Sequence, residues 1–131
     1  MEGSTRGRGA TRMTRLDIVQ GTLDLLILKT LAGAALHGYQ IARAIKTTSR
    51  EVLQVEEGAL YPALHRLEAR GLISSSWGQS ENRRRAKFYT LTPPGRHELE
   101  AQARSWDEYV EAVARVMSSS APVLDPAGDA S

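Results

Sequence analysis

One block, EEGALYPALHRLEARGLI from Glu56 to Ile73, limits what this chain can fold into more than any other. Leu60, Leu64 and Leu67 recur at helical spacing, and the apolar stripe runs on into Leu72 and Ile73. At about 100° per residue, Pro62, His65 and Ala69 face the other way, flanked by Tyr61 and Arg66. Gly71 is the residue type that ends a helix by turning left-handed. Pro62 is tolerable only near the start, where backbone N–H groups lack partners anyway. The block therefore predicts a short helix beginning close to Gly58, with a strained first turn, an apolar inner side and a polar outer side left for contact.

The neighbouring segments set the context. LDIVQGTLDLLILKTLA, from Leu16 to Ala32, is apolar on most sides but holds Asp24 and Lys29, so it reads as a buried core helix. It falls short of the roughly 20 apolar residues of a membrane span, and no other segment approaches that length, so no membrane partner is expected. GAALHGYQ breaks the pattern, YQIARAIKTTS restores it as a second amphipathic helix through Ile41, Ala42 and Ile45, and REVLQVEEG reads as a linker. After Gly71, LISSSWGQSENRRRAKFYTLT alternates as two strands around a polar turn, with Ile73, Ser75 and Trp77 on one side of the first. Thr92 suits the cap of a last helix that opens on Pro93 and Pro94. Leu99, Ala103, Trp106, Val110, Val113 and Met117 then follow at spacings of four and three, the seam of a helix that packs along another helix.

Charge sharpens this reading. The net charge is only +2, but it is unevenly spread. Arg6, Arg8, Arg12 and Arg15 cluster near the start, and Arg83, Arg84, Arg85 and Lys87 cluster in the strand pair. The final helix is acidic, with Glu98, Glu100, Asp107, Glu108 and Glu111 against Arg104 and Arg115. Basic patches followed by an acidic helix suit a chain with one surface for polyanions and another for something else. Cysteine is absent, which excludes a disulfide framework and a thiolate metal site. His37, His65 and His97 lack paired metal-ligand spacing, so neither metal nor cofactor is expected. No phosphate loop, nucleophile elbow or zinc-protease motif is present, and an enzyme is not expected. The N-terminus lacks the apolar run of a secretory signal, which points to the cytoplasm.

Three helices, a hairpin with a basic turn and a long seam helix make a mostly α (α+β) chain: a winged helix-turn-helix followed by a dimerisation helix. The expected organisation is a basic arm (1–15), a winged helix-turn-helix (16–92), the C-terminal helix (93–117) and a disordered tail (118–131). In such a fold the third helix enters the major groove of double-stranded DNA, whose width of about 12 Å admits a helix. A module that only binds protein through the seam is the main alternative, and it leaves the arginine-rich turn without a purpose.

LDLLILKTLAGAALHGYQIARAI, GALYPALHRLEARGLI and RRRAKFYTLTPPGRHELE together resemble the PadR family of bacterial transcriptional regulators, over about Val19 to Met117. The single final helix resembles the short-tailed branch. The resemblance implies a homodimer through the C-terminal helices and a repressor-like role at operator DNA. It puts DNA-facing positions on Ala59, Tyr61, Pro62, His65 and Arg66, and basic wing residues on Arg83, Arg84, Arg85 and Lys87. Tyr39 matches a family position that lies either near the DNA backbone or in the core. Many relatives carry Ser or Thr where this chain has Ala59, so one hydroxyl contact or cap is absent here. Tyr61 is open between packing beside the leucine stripe and reaching DNA. Trp106 has two readings, a seam residue of the dimer or a platform for a small aromatic effector of the kind some relatives bind.

Overall fold

A computed structural model describes residues 16, 17 and 20–120. Two compact units divide the chain, residues 1–100 and 101–131. In the first, β1 (Leu16–Asp17), α1 (Gln20–Leu31), β2 (Leu36–His37), α2 (Gly38–Thr48), β3 (Leu53–Gln54), α3 (Glu57–Ala69), β4 (Ile73–Gln79) and β5 (Arg85–Leu91) lead into α4 (Pro93–Met117). The last helix begins in the first unit and continues into the second. The strands form an antiparallel sheet in the order β2-β5-β4 and a two-stranded parallel pair, β1-β3. This is a winged helix-turn-helix: α2 and α3 are the two helices of the turn, and the β4–β5 hairpin is the wing. The expected basic arm, with Arg6, Arg8, Arg12 and Arg15, and all of the expected tail beyond Ser120 lie outside the described residues.

The core joins Leu23, Ile27, Leu28 and Leu31 of α1, Ile41 and Ile45 of α2, and Leu60, Ala63, Leu64 and Leu67 of α3, closed by Ile73, Tyr89 and Leu91 of the wing. Each large aliphatic side chain buried in this way stabilises the fold by about 1.5–3 kcal/mol. At the end of α3, Gly71 takes φ +75°, and the amides of Gly71 and Leu72 donate to Glu68 and Leu67 carbonyls at 2.9 and 3.0 Å. This left-handed closure returns Leu72 to the core beside Leu67.

Several sequence expectations are corrected. The segment expected to be helical from Leu16 instead opens with a short strand, Leu16–Asp17, paired in parallel with Leu53–Gln54. The helix α1 starts only at Gln20. The expected linker thus contains β3, and the expected break contains β2, whose Leu36 and His37 pair with Tyr89 and Phe88. Pro62 lies deeper than first-turn tolerance allows, as the sixth residue of α3. Its missing N–H leaves the Gly58 carbonyl without the usual helical donor. Leu99, expected in the seam, is only 9% exposed and belongs to the core of the first unit.

α3 is also tied down by charge, in three directions. Arg66 reaches Asp24 of α1 at 3.0 Å, Arg70 reaches Glu98 of α4 at 3.5 Å, and Glu68 meets Lys87 of β5 at 3.5 Å. Glu68 also accepts a 2.6 Å hydrogen bond from the Ser75 hydroxyl of β4. Thr92 caps α4 by accepting from the Gly95 amide at 3.0 Å, while its own hydroxyl donates to the Gly71 carbonyl at 2.7 Å. One residue therefore links the end of α3 to the start of α4.

Two outcomes test this architecture. A Cβ on Gly95 would strike the Leu72 carbonyl, so Gly95→Ala should destabilise the chain by about 1–3 kcal/mol in urea unfolding. Glu68 is held below its ordinary value of 4.5 chiefly by the Ser75 hydroxyl, opposed by desolvation, with the Lys87 charge adding to the lowering. Its contribution to stability is therefore present above pH 4.5 and lost as pH falls through its depressed native value. Glu68→Gln should be less stable than the parent at neutral pH, and the gap between the two should close in acid.

Candidate nucleic-acid interface

Burial of the leucine stripe decides which side of α3 remains outside. Ala59, Tyr61, Pro62, His65 and Arg66 all lie on the exposed face, as the periodicity requires. The N-terminal end of this helix carries Glu56 and Glu57, and Glu56 has no side-chain capping bond. These carboxylates already meet the positive end of the helix dipole. Positive charge around this face therefore comes from basic side chains rather than from the first amides of the helix.

An open groove of about 420 Å³ lies between the start of α2, the middle of α3 and the wing. It brings together Tyr39, Tyr61, His65, Arg85 and Lys87, all singled out in the sequence, with Trp77, which was not. Tyr39 is 66% exposed, so it is not a core residue. Tyr61 does two things at once. Its ring and hydroxyl lie so close to Gly38 that a Cβ there would come within 2.6 Å of the hydroxyl, yet 42% of the residue stays exposed. Gly38 is thus the residue that lets α3 cross the start of α2 so closely.

The wing owes its form to strict alternation. Ile73 pairs with Leu91, Ser75 with Tyr89, Trp77 with Lys87 and Gln79 with Arg85, all on one face of the ribbon. At the base that face is core, through Ile73, Tyr89 and Leu91. Toward the tip the same face becomes the groove wall, through Trp77, Lys87 and Arg85. The turn closes through Arg83 and Ser80, with the Arg83 amide donating to the Ser80 carbonyl at 2.8 Å and Arg83 itself left-handed at φ 62°. Arg83 and Arg84 project from this turn, both exposed.

The basic residues are not equally available. Arg66 and Lys87 are already paired with Asp24 and Glu68, whereas Arg83, Arg84 and Arg85 have no carboxylate partner among the described residues. The wing tip also approaches the start of α2. Glu81 lies 3.5 Å from Nε2 of His37, and its carboxyl is pulled below the ordinary 4.5 by a backbone hydrogen bond and then by His37. His37 in turn begins α2: its Nδ1 accepts from the Gln40 amide at 3.4 Å, and its own amide donates to Gln40 Oε1 at 3.1 Å. This is a capping box with histidine as the cap.

Three kinds of residue escaped the sequence reading. Trp77 was noted only as a strand position. Arg43 and Lys46 follow Tyr39 at spacings of four and three and share an open groove of about 440 Å³ beside β3; that spacing was the signal that gives them one helix face. His37 has no metal-ligand spacing, but its three-residue spacing to Gln40 is that of a capping box.

In the second unit, Trp106, Val110, Val113 and Met117 of the seam are exposed, and Ala103 is half-buried. Tyr109 and Val116 widen the stripe. The Trp106 and Tyr109 rings lie 5.9 Å apart at 33°. Among the described residues, no helix is long and apolar enough to cross a membrane, and no group of three or more His, Asp or Glu is placed to hold a metal ion.

Comparison with known proteins agrees with this architecture. The model of the transcriptional regulator PadR-like family matches residues 27–101. The transcriptional regulator Rv3488 of Mycobacterium tuberculosis is 36% identical over 94 residues, which cover 72% of this chain and 84% of that protein. A PadR family transcription regulator from Clostridium difficile R20291 is 31% identical, with a TM-score of 0.63, over 74% of this chain and 99% of the other. A transcriptional regulator from Clostridium thermocellum, Cth-833, is 28% identical, with a TM-score of 0.67, over 73% and 93%. A winged helix-turn-helix of this form, matched by the family model across its helices and wing, belongs to the transcriptional regulator PadR-like family, a class of DNA-binding regulators.

Proposed function

We propose that this chain is a homodimeric repressor that binds a pseudo-palindromic operator in the cytoplasm, with α3 in the major groove and the wing on the adjacent backbone. One observation carries the reading: the outer face of α3, the Tyr39 end of α2 and the arginine-bearing wing border a single groove. In this role Ala59, Tyr61, Pro62, His65 and Arg66 face base edges and nearby phosphates. Arg83, Arg84 and Arg85 grip phosphates or the minor groove, and Lys87 and Tyr39 support them at the groove walls. Arg43 and Lys46 extend the same basic surface along α2.

The dimer reading draws on the second unit. Exposed Trp106, Val110, Val113 and Met117, with Tyr109 and Val116, form an apolar stripe of the kind that a partner helix covers. Two copies joined there set their recognition helices about 34 Å apart, one helical turn of DNA. The tilted Trp106–Tyr109 pair supports a second role for Trp106, stacking a flat aromatic effector whose binding shifts the dimer between two recognition-helix spacings.

Sedimentation at micromolar concentration should find a dimer, and a strict monomer would refute the two-helix arrangement. Arg84→Ala should weaken binding to all duplexes alike and reduce the salt slope by about one unit, read by anisotropy across a salt series. Arg66 is tested against its own partner. Arg66→Ala should weaken operator binding and relax preference at one base position, whereas Asp24→Asn, which frees the guanidinium, should retain operator binding. If Asp24→Asn loses operator binding as fully as Arg66→Ala, the ion pair itself is what matters, and Arg66 is a brace rather than a DNA contact.

A further inference from the structure

Trp77 is 59% exposed near the end of β4. A tryptophan in water needs a reason, since its surface is mostly apolar. Its direct cross-strand partner is Lys87, and Arg85 is the diagonal neighbour on the same face of the ribbon. The Arg85 guanidinium lies over the indole, its central carbon 4.4 Å from the ring centroid. No other arginine of the wing has such a platform among the described residues.

The difference between a platform and an ion pair is chemical. Lys87 and Arg66 are each held by a carboxylate, which takes up part of their donor capacity and offsets their charge. A guanidinium stacked on a ring face is ordered too, yet its in-plane N–H groups stay free and its charge stays whole. Arg83 and Arg84, on the turn, are charged but have neither brace. Arg85 is thus the wing cation that is both held in place and unspent, and it lines the groove with Tyr61 and His65.

We propose that Trp77 is a positioning residue for DNA binding: its indole holds Arg85 with the donor edge turned to the groove, ready for a phosphate or base edge. The ordering entropy of a long side chain is then lost on folding rather than on binding. This rests on the reading of the wing as a DNA contact.

The test is a double-mutant cycle in the full chain, with a mixed-sequence duplex of about 30 base pairs, near three helical turns, followed by anisotropy at several salt concentrations. Trp77→Ala should weaken binding roughly two- to fivefold, as expected for loss of an exposed cation–π contact. Trp77→Phe should restore most of that loss. Trp77→Leu, which keeps apolar bulk without a π face, should not, and it supplies the same measurement if the alanine variant fails to fold. The loss from Trp77→Ala should vanish in an Arg85→Ala background and persist in an Arg84→Ala background. A role for Trp77 in stability alone would weaken both backgrounds equally, and that result overturns the proposal. If Arg85→Ala weakens binding while Trp77→Ala and Trp77→Leu bind as the parent does, the proposal fails and the wing reading stands. If Arg84→Ala and Arg85→Ala are both silent, the wing reading fails and takes this proposal with it.

Discussion

The burial of Leu60, Leu64 and Leu67 against α1 and α2 is the contact on which the rest of this molecule depends. A helix of 13 residues is too short to be stable alone, so its shape comes from what it is packed against. Once the leucines are inside, the rotation of the helix is settled, and so is the row of side chains presented outward. Interdigitation of these side chains with their neighbours also limits sliding and tilt. The ion pairs to α1, α4 and the wing add a directional restraint on three sides. Being partly exposed, each contributes little to stability. Their value is in geometry.

The same economy appears in the hairpin. One face of a two-stranded ribbon begins as the lid of the core and ends as the wall of a groove, with no change in backbone pattern. The packing at the base therefore aims the side chains at the tip: a slip of one residue would send Trp77, Lys87 and Arg85 to the opposite side. The approach of Glu81 to His37 brings the tip beside the first residues of α2.

What could be read in the sequence was what local chemistry encodes. The bounds of α3, the two wing strands and the Thr92 cap all follow from period, glycine position and capping residues within a few positions of each other. The two-residue strands could not be read. They have no length over which to show alternation, and they exist only because distant segments meet. The pairing of Arg66 with Asp24 spans 42 positions and leaves no periodic trace. Leu99 shows a different limit: a heptad pattern reports that a residue wants an apolar neighbour but does not say whose. The groove residues were mostly legible because they share helix or strand faces. Trp77 was missed because its significance lies in a diagonal neighbour across the hairpin.

Pro62 carries a consequence for motion. By removing one rung from the hydrogen-bond ladder, it leaves the Gly58 carbonyl without its helical donor just ahead of Leu60, the first residue of the helix that the core holds. Glu57, Gly58 and Ala59 are exposed, and none of them belongs to the core. With no core contact of their own, these three residues are placed to open locally ahead of Leu60, without unfolding of the whole. The first residues of the helix are thereby held less tightly than the part that Leu60, Leu64 and Leu67 fix in the core.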